Sequence, residues 1–398
     1  MTETCDILIS GGGIAGLAAA ALFGRHGFHV ILVDPAPPVT DGDADGADLR
    51  TTALLQPART LFDAAGVWDA IAPHGAALEI MQIVDAGDSP GARRATRAFK
   101  SSDVSDLPFG WNVPNWRLRQ VLVDRLGTLD TVDFRPGLSA TQLFTRLNEA
   151  RVTLSDGTRI RTRLVIAADG RNSVMRTAAG IGVTTRRYGQ KALAFAVTHP
   201  EPHDNISTEI HKTGGPFTFV PLPDHDGQPC SAVVWMDDGA KSLARLNAPV
   251  TEFESEATDR SSGLLGPLRL ATRRSLWPII SQKADRFAAQ RVALVAEAAH
   301  VVPPIGAQGL NMSLADIRTL FDLAEQSPGT LGDAQMLDAY HRARFADVSL
   351  RVAGIDMLNR TSQAAAPALR TARAWGVTAL HEVKPVRKTL MRMGLGTN

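Results

Sequence analysis

Apolar residues run almost unbroken through CDILIS at 5–10 and HVILVD at 29–34, with an alanine-rich stretch, IAGLAAAALF, at 14–23 between them. Short unbroken apolar runs predict strands buried on both faces, and the alanine-rich stretch predicts a closely packed helix. Strand, helix and strand in that order make a βαβ unit. Related patterns recur farther along. RLVIAADGRNSVMR at 163–176 reads as a strand entering a small-residue turn, and RVALVAEAAH at 291–300 reads as another strand. A loop with two prolines then leads to an apolar-periodic helix over Leu310–Leu323. Between these units lie KALAFAVTHP, FTFVPLP and CSAVVWMDD, short β-rich runs bounded by Pro, Gly and Asp, which predict antiparallel strands.

Composition narrows the function classes. With 398 residues, 44% hydrophobic and 21% charged, the chain can bury a large core split over two or more subdomains. Its net charge of +1, from 42 basic and 41 acidic residues, provides no global field for nucleic acid, so no nucleic-acid partner is expected. Cys5 and Cys230 are the only cysteines, too few for a disulfide framework, and no metal site is expected. Residues 1–4 are too short and polar for a signal peptide, and no apolar run would cross a bilayer, so a cytoplasmic location is expected.

The candidate chemistry sits at the strand-to-helix junctions. Gly11, Gly13 and Gly16, with Ala15 inside the turn, supply G-x-G-x-x-G where the first strand enters the helix. That spacing gives a tight turn, a bare backbone for pyrophosphate and close helix packing. Asp34 ends the second strand, where an acid can accept from ribose hydroxyls; NAD and FAD both fit. At the second junction Gly170 permits an unusual backbone conformation, Asp169 can accept from amides or ligand hydroxyls, and Ser173 can cap the next helix. At the third, Pro303 and Pro304 stiffen the loop, and Gly306 and Gly309 expose amides at a helix start near Leu310.

Three such junctions in this order resemble the FAD-dependent aromatic hydroxylases of the p-hydroxybenzoate hydroxylase fold, and within them the ubiquinone-biosynthesis hydroxylases. The resemblance rests on the Gly11 turn, DLRTTAL at 48–54, VPNWRLRQVL at 113–122, AADGRNSVMR, GPFTFVPLPD at 215–224 and EAAHVVPPIGAQGLNMSLAD. It implies an α/β fold: a Rossmann-like FAD-binding domain (1–75, 111–183, 286–340), an interleaved antiparallel β-sheet substrate domain (76–110, 184–285) and a helical C-terminus (341–398). It also implies that Gly11, Gly13 and Gly16 line the FAD pyrophosphate, Asp34 takes the adenosine ribose and Arg50 lies against the flavin. Asn115 and Arg119 match a helix start beside the ribityl chain, and Asp169 and Gly170 a motif associated with FAD and reduced nicotinamide. Gly309, Leu310 and Asn311 match the amides facing the pyrimidine end of the ring, and Pro304 the loop over it.

One departure stands out. Ala296-Glu297 replaces the Gly-Asp usual in that family, adding a Cβ and reaching one methylene farther, which is read as an adjusted Glu297 contact to the ribityl chain. His300 beside it is read as scaffold. The activity implied is FAD-dependent monooxygenation of a lipophilic polyprenylated phenol, with NAD(P)H and dioxygen as co-substrates and Arg50 and Pro304 as positional catalytic residues. Rival readings are a hydroxylase of another aromatic, a noncatalytic flavoprotein subunit and a plain NAD-dependent dehydrogenase. Phe217, Phe219 and Trp235 are candidate pocket aromatics, with core packing favoured for at least two of them. Val383–Met393 reads as a basic amphipathic helix suited to peripheral inner-membrane contact or to docking on the protein itself. Partnership in a ubiquinone-synthesis complex or a homo-oligomer completes the expectations.

Overall fold

The computed structural model describes residues 2–86, 93–212, 214–363 and 391. Among them, the strands Val132–Pro136, Val30–Asp34, Thr2–Ser10, Arg159–Ala167 and Val292–Leu294 lie side by side in that order, all parallel. In chain order this is 3-2-1-4-5, the doubly wound arrangement. The hairpin Ala140–Thr145/Ala150–Leu154 extends the sheet antiparallel beside Arg159–Ala167. Val30–Val33 and Leu164–Ala167 are buried because helices cover this part of the sheet, so the unbroken apolar pattern follows directly.

Helix Ile14–Arg25 buries Ala18 to Phe23 completely. Its alanines let it pack against helices Asn115–Leu126 and Gln308–Gln326, and Phe23 closes the layer edge-on to Phe321 at 5.3 Å. Burying one such ring is worth about 1.5–3 kcal/mol.

A second, nine-stranded sheet carries His300–Val301, Ser275–Ala284, Val183–Thr198, Gln228–Asp238, Gly215–His225, Ile206–Lys212, Ile80–Ala86 and Arg93–Lys100 along its main path. Most neighbours are antiparallel, with Ile206–Lys212 parallel to Ile80–Ala86. Period-2 alternation gives it two unlike faces. Leu193, Phe195, Phe217, Phe219, Val233 and Trp235 pack under helix Val250–Arg260 around Phe253. All three candidate pocket aromatics therefore belong to the core, Phe217 and Trp235 stacking edge-on at 5.3 Å. The opposite face is lined by Ala192, Ala194, Ala196 and Ala232 with Met236. Trp277 stands cross-strand from Ala192 on that face.

A three-stranded sheet of Thr51–Leu55, Gly110–Pro114 and Ala76–Leu78 lies against Gly215–His225. The C-terminal helix spans Ala334–Gln363 and is tied to the parallel sheet by the Tyr340 hydroxyl, which donates to the Leu294 carbonyl at 2.7 Å. Of the basic amphipathic stretch Val383–Met393, only Met391 lies among the described residues, buried against Ala53, Leu78 and Phe109.

Candidate functional site

Strand order reverses between Thr2–Ser10 and Arg159–Ala167, so their C-terminal ends open the crevice in which doubly wound folds take ligands. Gly11 leaves the first strand at φ +111, and a Cβ there would lie 2.3 Å from the Ala168 carbonyl oxygen. The Asp169 turn can lie this close only because residue 11 has no side chain. A Cβ at Gly16 would sit 1.8 Å from the Gly11 carbonyl, whereas one at Gly13 would meet nothing within 4 Å. Gly13 also N-caps the helix without a side-chain hydrogen bond, leaving its first amides for an anion, with buried Ala15 in the first turn. Asp34 accepts from the Gly12 amide at 2.6 Å and the Ala36 amide at 2.9 Å. Each carboxylate oxygen retains a lone pair for a hydroxyl donor.

Arg50 is tightly held. Its guanidinium makes two 2.8 Å bonds to Asp48 and lies 3.9 Å from the centroid of the Trp277 ring. Asn115 donates to Asp48 at 3.0 Å, accepts from the Thr52 hydroxyl at 2.7 Å, and gives its amide to the Arg50 carbonyl at 2.9 Å. Burial pushes the Asp48 carboxyl up, but the Arg50 and Asn115 hydrogen bonds and the Arg50 charge outweigh it, and its pKa falls below the ordinary value. Burial pushes Arg50 down, while Asp48 and then Glu297 more than compensate. Exposed Glu297 is thus brought within electrostatic reach of Arg50. Asp48 closes the polar stretch DGDADGAD at 41–48, whose composition singles out no one acid for burial; the signal available was an acid two positions before the arginine. Arg119 donates to the Val39 carbonyl at 3.4 Å, and its buried Nε has no hydrogen-bond partner.

At the second junction Gly170 adopts φ +78, and Asp169 accepts from the Ser173 hydroxyl and from the Met175 amide at 3.1 Å. Ser173 in turn caps the Arg176 amide at 2.9 Å. The acid organises its own turn beside Gly11.

The third junction departs from its expected start: the helix begins at Gln308, two residues before Leu310, because Ala307 takes φ +55 as its N-cap. Its first turn has no side-chain cap, and a Cβ at exposed Gly309 would meet nothing within 4 Å. Asn311 points at protein: it accepts from the Leu55 amide at 2.9 Å and donates to the Ala53 carbonyl at 2.8 Å. Leu310 is half-buried and Pro304 exposed.

Ala296 adopts φ +55, a left-handed conformation that disfavours a Cβ. Its amide donates to Asp316 at 3.1 Å. Fully buried Asp316 also accepts from His300 at 2.7 Å and Arg344 at 2.8 Å. Burial raises the Asp316 carboxyl, but the charges and hydrogen bonds of His300 and Arg344 bring its pKa below the ordinary value. His300 is therefore scaffold, and the carboxylate and guanidinium that fix this turn come from helices 20 and 48 positions away.

Two uncapped helix starts, open space at Gly13 and Gly309 and the unpartnered Arg119 Nε suit a large anionic dinucleotide with hydrogen-bond acceptors. Fold and site together define a dinucleotide-binding protein of the doubly wound class. The chain belongs to the FAD binding domain family, which it matches over residues 4–352. It is 32% identical over 398 residues to ubiquinone hydroxylase UbiL of Rhodospirillum rubrum, covering 99% of this chain and 90% of that one. It is 28% identical to 3-demethoxyubiquinol 3-hydroxylase of Escherichia coli, with 99% of each covered. Its fold superposes on p-nitrophenol 4-monooxygenase PnpA of Pseudomonas putida with a TM-score of 0.79 at 17% identity, covering 100% of both chains. Among the described residues, no helix is long and apolar enough to cross a membrane.

Proposed function

We propose that this FAD-dependent aromatic monooxygenase hydroxylates the ring of a polyprenylated phenol in ubiquinone biosynthesis, using NAD(P)H and dioxygen. The observation that carries the reading is Arg50, pinned by Asp48 against Trp277, which stands cross-strand from Ala192 on the alanine-lined sheet face. When bound, FAD supplies the redox chemistry that passes electrons from reduced nicotinamide to dioxygen and one oxygen atom to the ring.

The chain's residues bind and orient. Gly11, Gly13, Ala15 and Gly16 present backbone to the pyrophosphate, and Asp34 takes the ribose. Asn115 and Arg119 stand by the ribityl chain, with Glu297 supplying an acceptor where Asp is usual. The free amides of Gly309 and Leu310 stabilise negative charge at the ring's pyrimidine end, and Asn311 holds that helix start to Thr51–Leu55. Asp169 and Gly170 form the turn where nicotinamide enters. Arg50 and Pro304 position the ring and shield it from water. The apolar ring is read as seated beside the alanine face of the nine-stranded sheet. Val383–Met393, by its sequence, is the proposed peripheral membrane contact through which a tailed substrate arrives.

Oxygen consumption by the FAD-loaded protein tests the reading. NADH or NADPH is supplied with a short-tailed prenylphenol. Substrate-stimulated uptake with a hydroxylated product is expected, together with loss of ubiquinone and build-up of an under-hydroxylated precursor in a deletion strain. Flavin-bound protein without stimulated uptake would favour the noncatalytic subunit, and an unchanged ubiquinone pool would favour another aromatic substrate.

A further inference from the structure

Asn112 lies in the strand Gly110–Pro114, cross-strand from Ala53 on one side and Ala76 on the other. Asparagine is a poor strand former, and an apolar residue would suit this seam better. Its side-chain nitrogen donates to the Pro221 carbonyl in the nine-stranded sheet at 2.9 Å. A carbonyl only accepts, so that bond fixes which end of the amide faces Pro221 and leaves Oδ1 as the free end. The residue is 1% exposed, and Oδ1 has no hydrogen-bond partner. A buried acceptor left unpaired costs about 1–3 kcal/mol.

The surroundings are apolar. Trp111 and Val113 turn to the opposite face, Trp111 packing edge-on to Trp68 at 4.9 Å. On the Asn112 side, Ala53 clusters with Leu78, Phe109, Met391, Val220 and Ala307. The Ala53 carbonyl also receives Asn311 from the helix start at the flavin cradle. The acceptor thus stands one strand from the cradle, in an apolar seam between the three-stranded and nine-stranded sheets.

We infer that Asn112 is a specificity-determining residue whose Oδ1 accepts the hydroxyl proton of a neutral phenolic ring. The inference rests on the ring-hydroxylation reading and adds the group that distinguishes a phenol from the same hydrocarbon without the hydroxyl. An amide oxygen repels carboxylate and phenolate, so the ligand enters as the neutral phenol.

The test titrates FAD-saturated protein with 2-prenylphenol and, separately, with prenylbenzene, following the visible flavin spectrum. Wild type is expected to prefer the phenol about tenfold, the scale of one hydrogen bond at a buried site. Asn112→Leu should lose that preference through weaker phenol binding while binding prenylbenzene as before. Asn112→Ser, which keeps an acceptor, should retain part of it. The unchanged prenylbenzene affinity serves as the folding control. A preference that persists in Asn112→Leu overturns the inference, as does equal loss of both ligands in both variants, which marks a scaffold residue. Wild type that binds neither ligand would instead remove the ring-hydroxylation reading, and this inference with it.

Discussion

The turn at 11–16 and the loop at 296–308 both carry backbone through tight turns between strand and helix, but they are held by opposite means. At Gly11 and Gly16 the chain is close because nothing is there: a Cβ would strike backbone at 2.3 and 1.8 Å. At Ala296 the chain holds φ +55 despite a Cβ, because Asp316, braced by His300 and Arg344, grips its amide. One turn is specified by local residue size, the other by a buried charge network assembled from distant helices. The first tolerates no added atom at Gly11 or Gly16, and the second should tolerate an added or lost atom but not a lost charge.

Removing the grip should have the largest effect. Asp316→Ala leaves buried His300 without its carboxylate and Arg344 with only the Asp347 carboxylate, and a loss of about 3–5 kcal/mol is expected in denaturant unfolding. A loss below about 1 kcal/mol would mean the network is incidental to the fold. Gly16→Ala comes next: overlap with the Gly11 carbonyl should cost about 1–3 kcal/mol and reduce copurifying flavin. Full flavin occupancy in that variant would break the claim that missing atoms define the turn.

Acid should act on the charge-held elements before the glycine turn. Asp48 and Asp316 both have pKa values held below 3.8 in the folded protein. Their stabilisation is therefore present above the unfolded value, about pH 4, and is lost as pH falls through the lower folded values. The loss should appear in unfolding curves below that pH and vanish for the second site in Asp316→Asn. Ala296→Gly should have the smallest effect. Relief of the left-handed strain and the added freedom of glycine nearly cancel, so a change of less than about 1 kcal/mol is expected with flavin retained. Flavin loss there would show that the alanine methyl itself contributes to binding.

The same contrast explains what could be read from the chain. The βαβ units, the glycine turn and the acid at Asp34 were legible because each depends on neighbours within about one supersecondary unit. The core aromatics were harder to place: Phe217, Phe219 and Trp235 alternate correctly for a sheet, but alternation does not say which face meets the crevice and which meets helix Val250–Arg260. Asp48 was hidden by its polar surroundings, and its burial came from Arg50 and from Asn115, a helix start 67 positions away.

Alone, the chain determined where backbone turns sharply, which strands are buried on both sides and where amides are left free, since steric size and hydrophobic period act between near neighbours. Only the tertiary structure decided that Asp316 meets Arg344 and Ala296, that Arg50 lies on Trp277 and that Asn112 has one bonded and one free end. Hydrogen bonds and charge pairs act over a few ångströms of space regardless of sequence separation, so their partners exist only once the three sheets have been brought together.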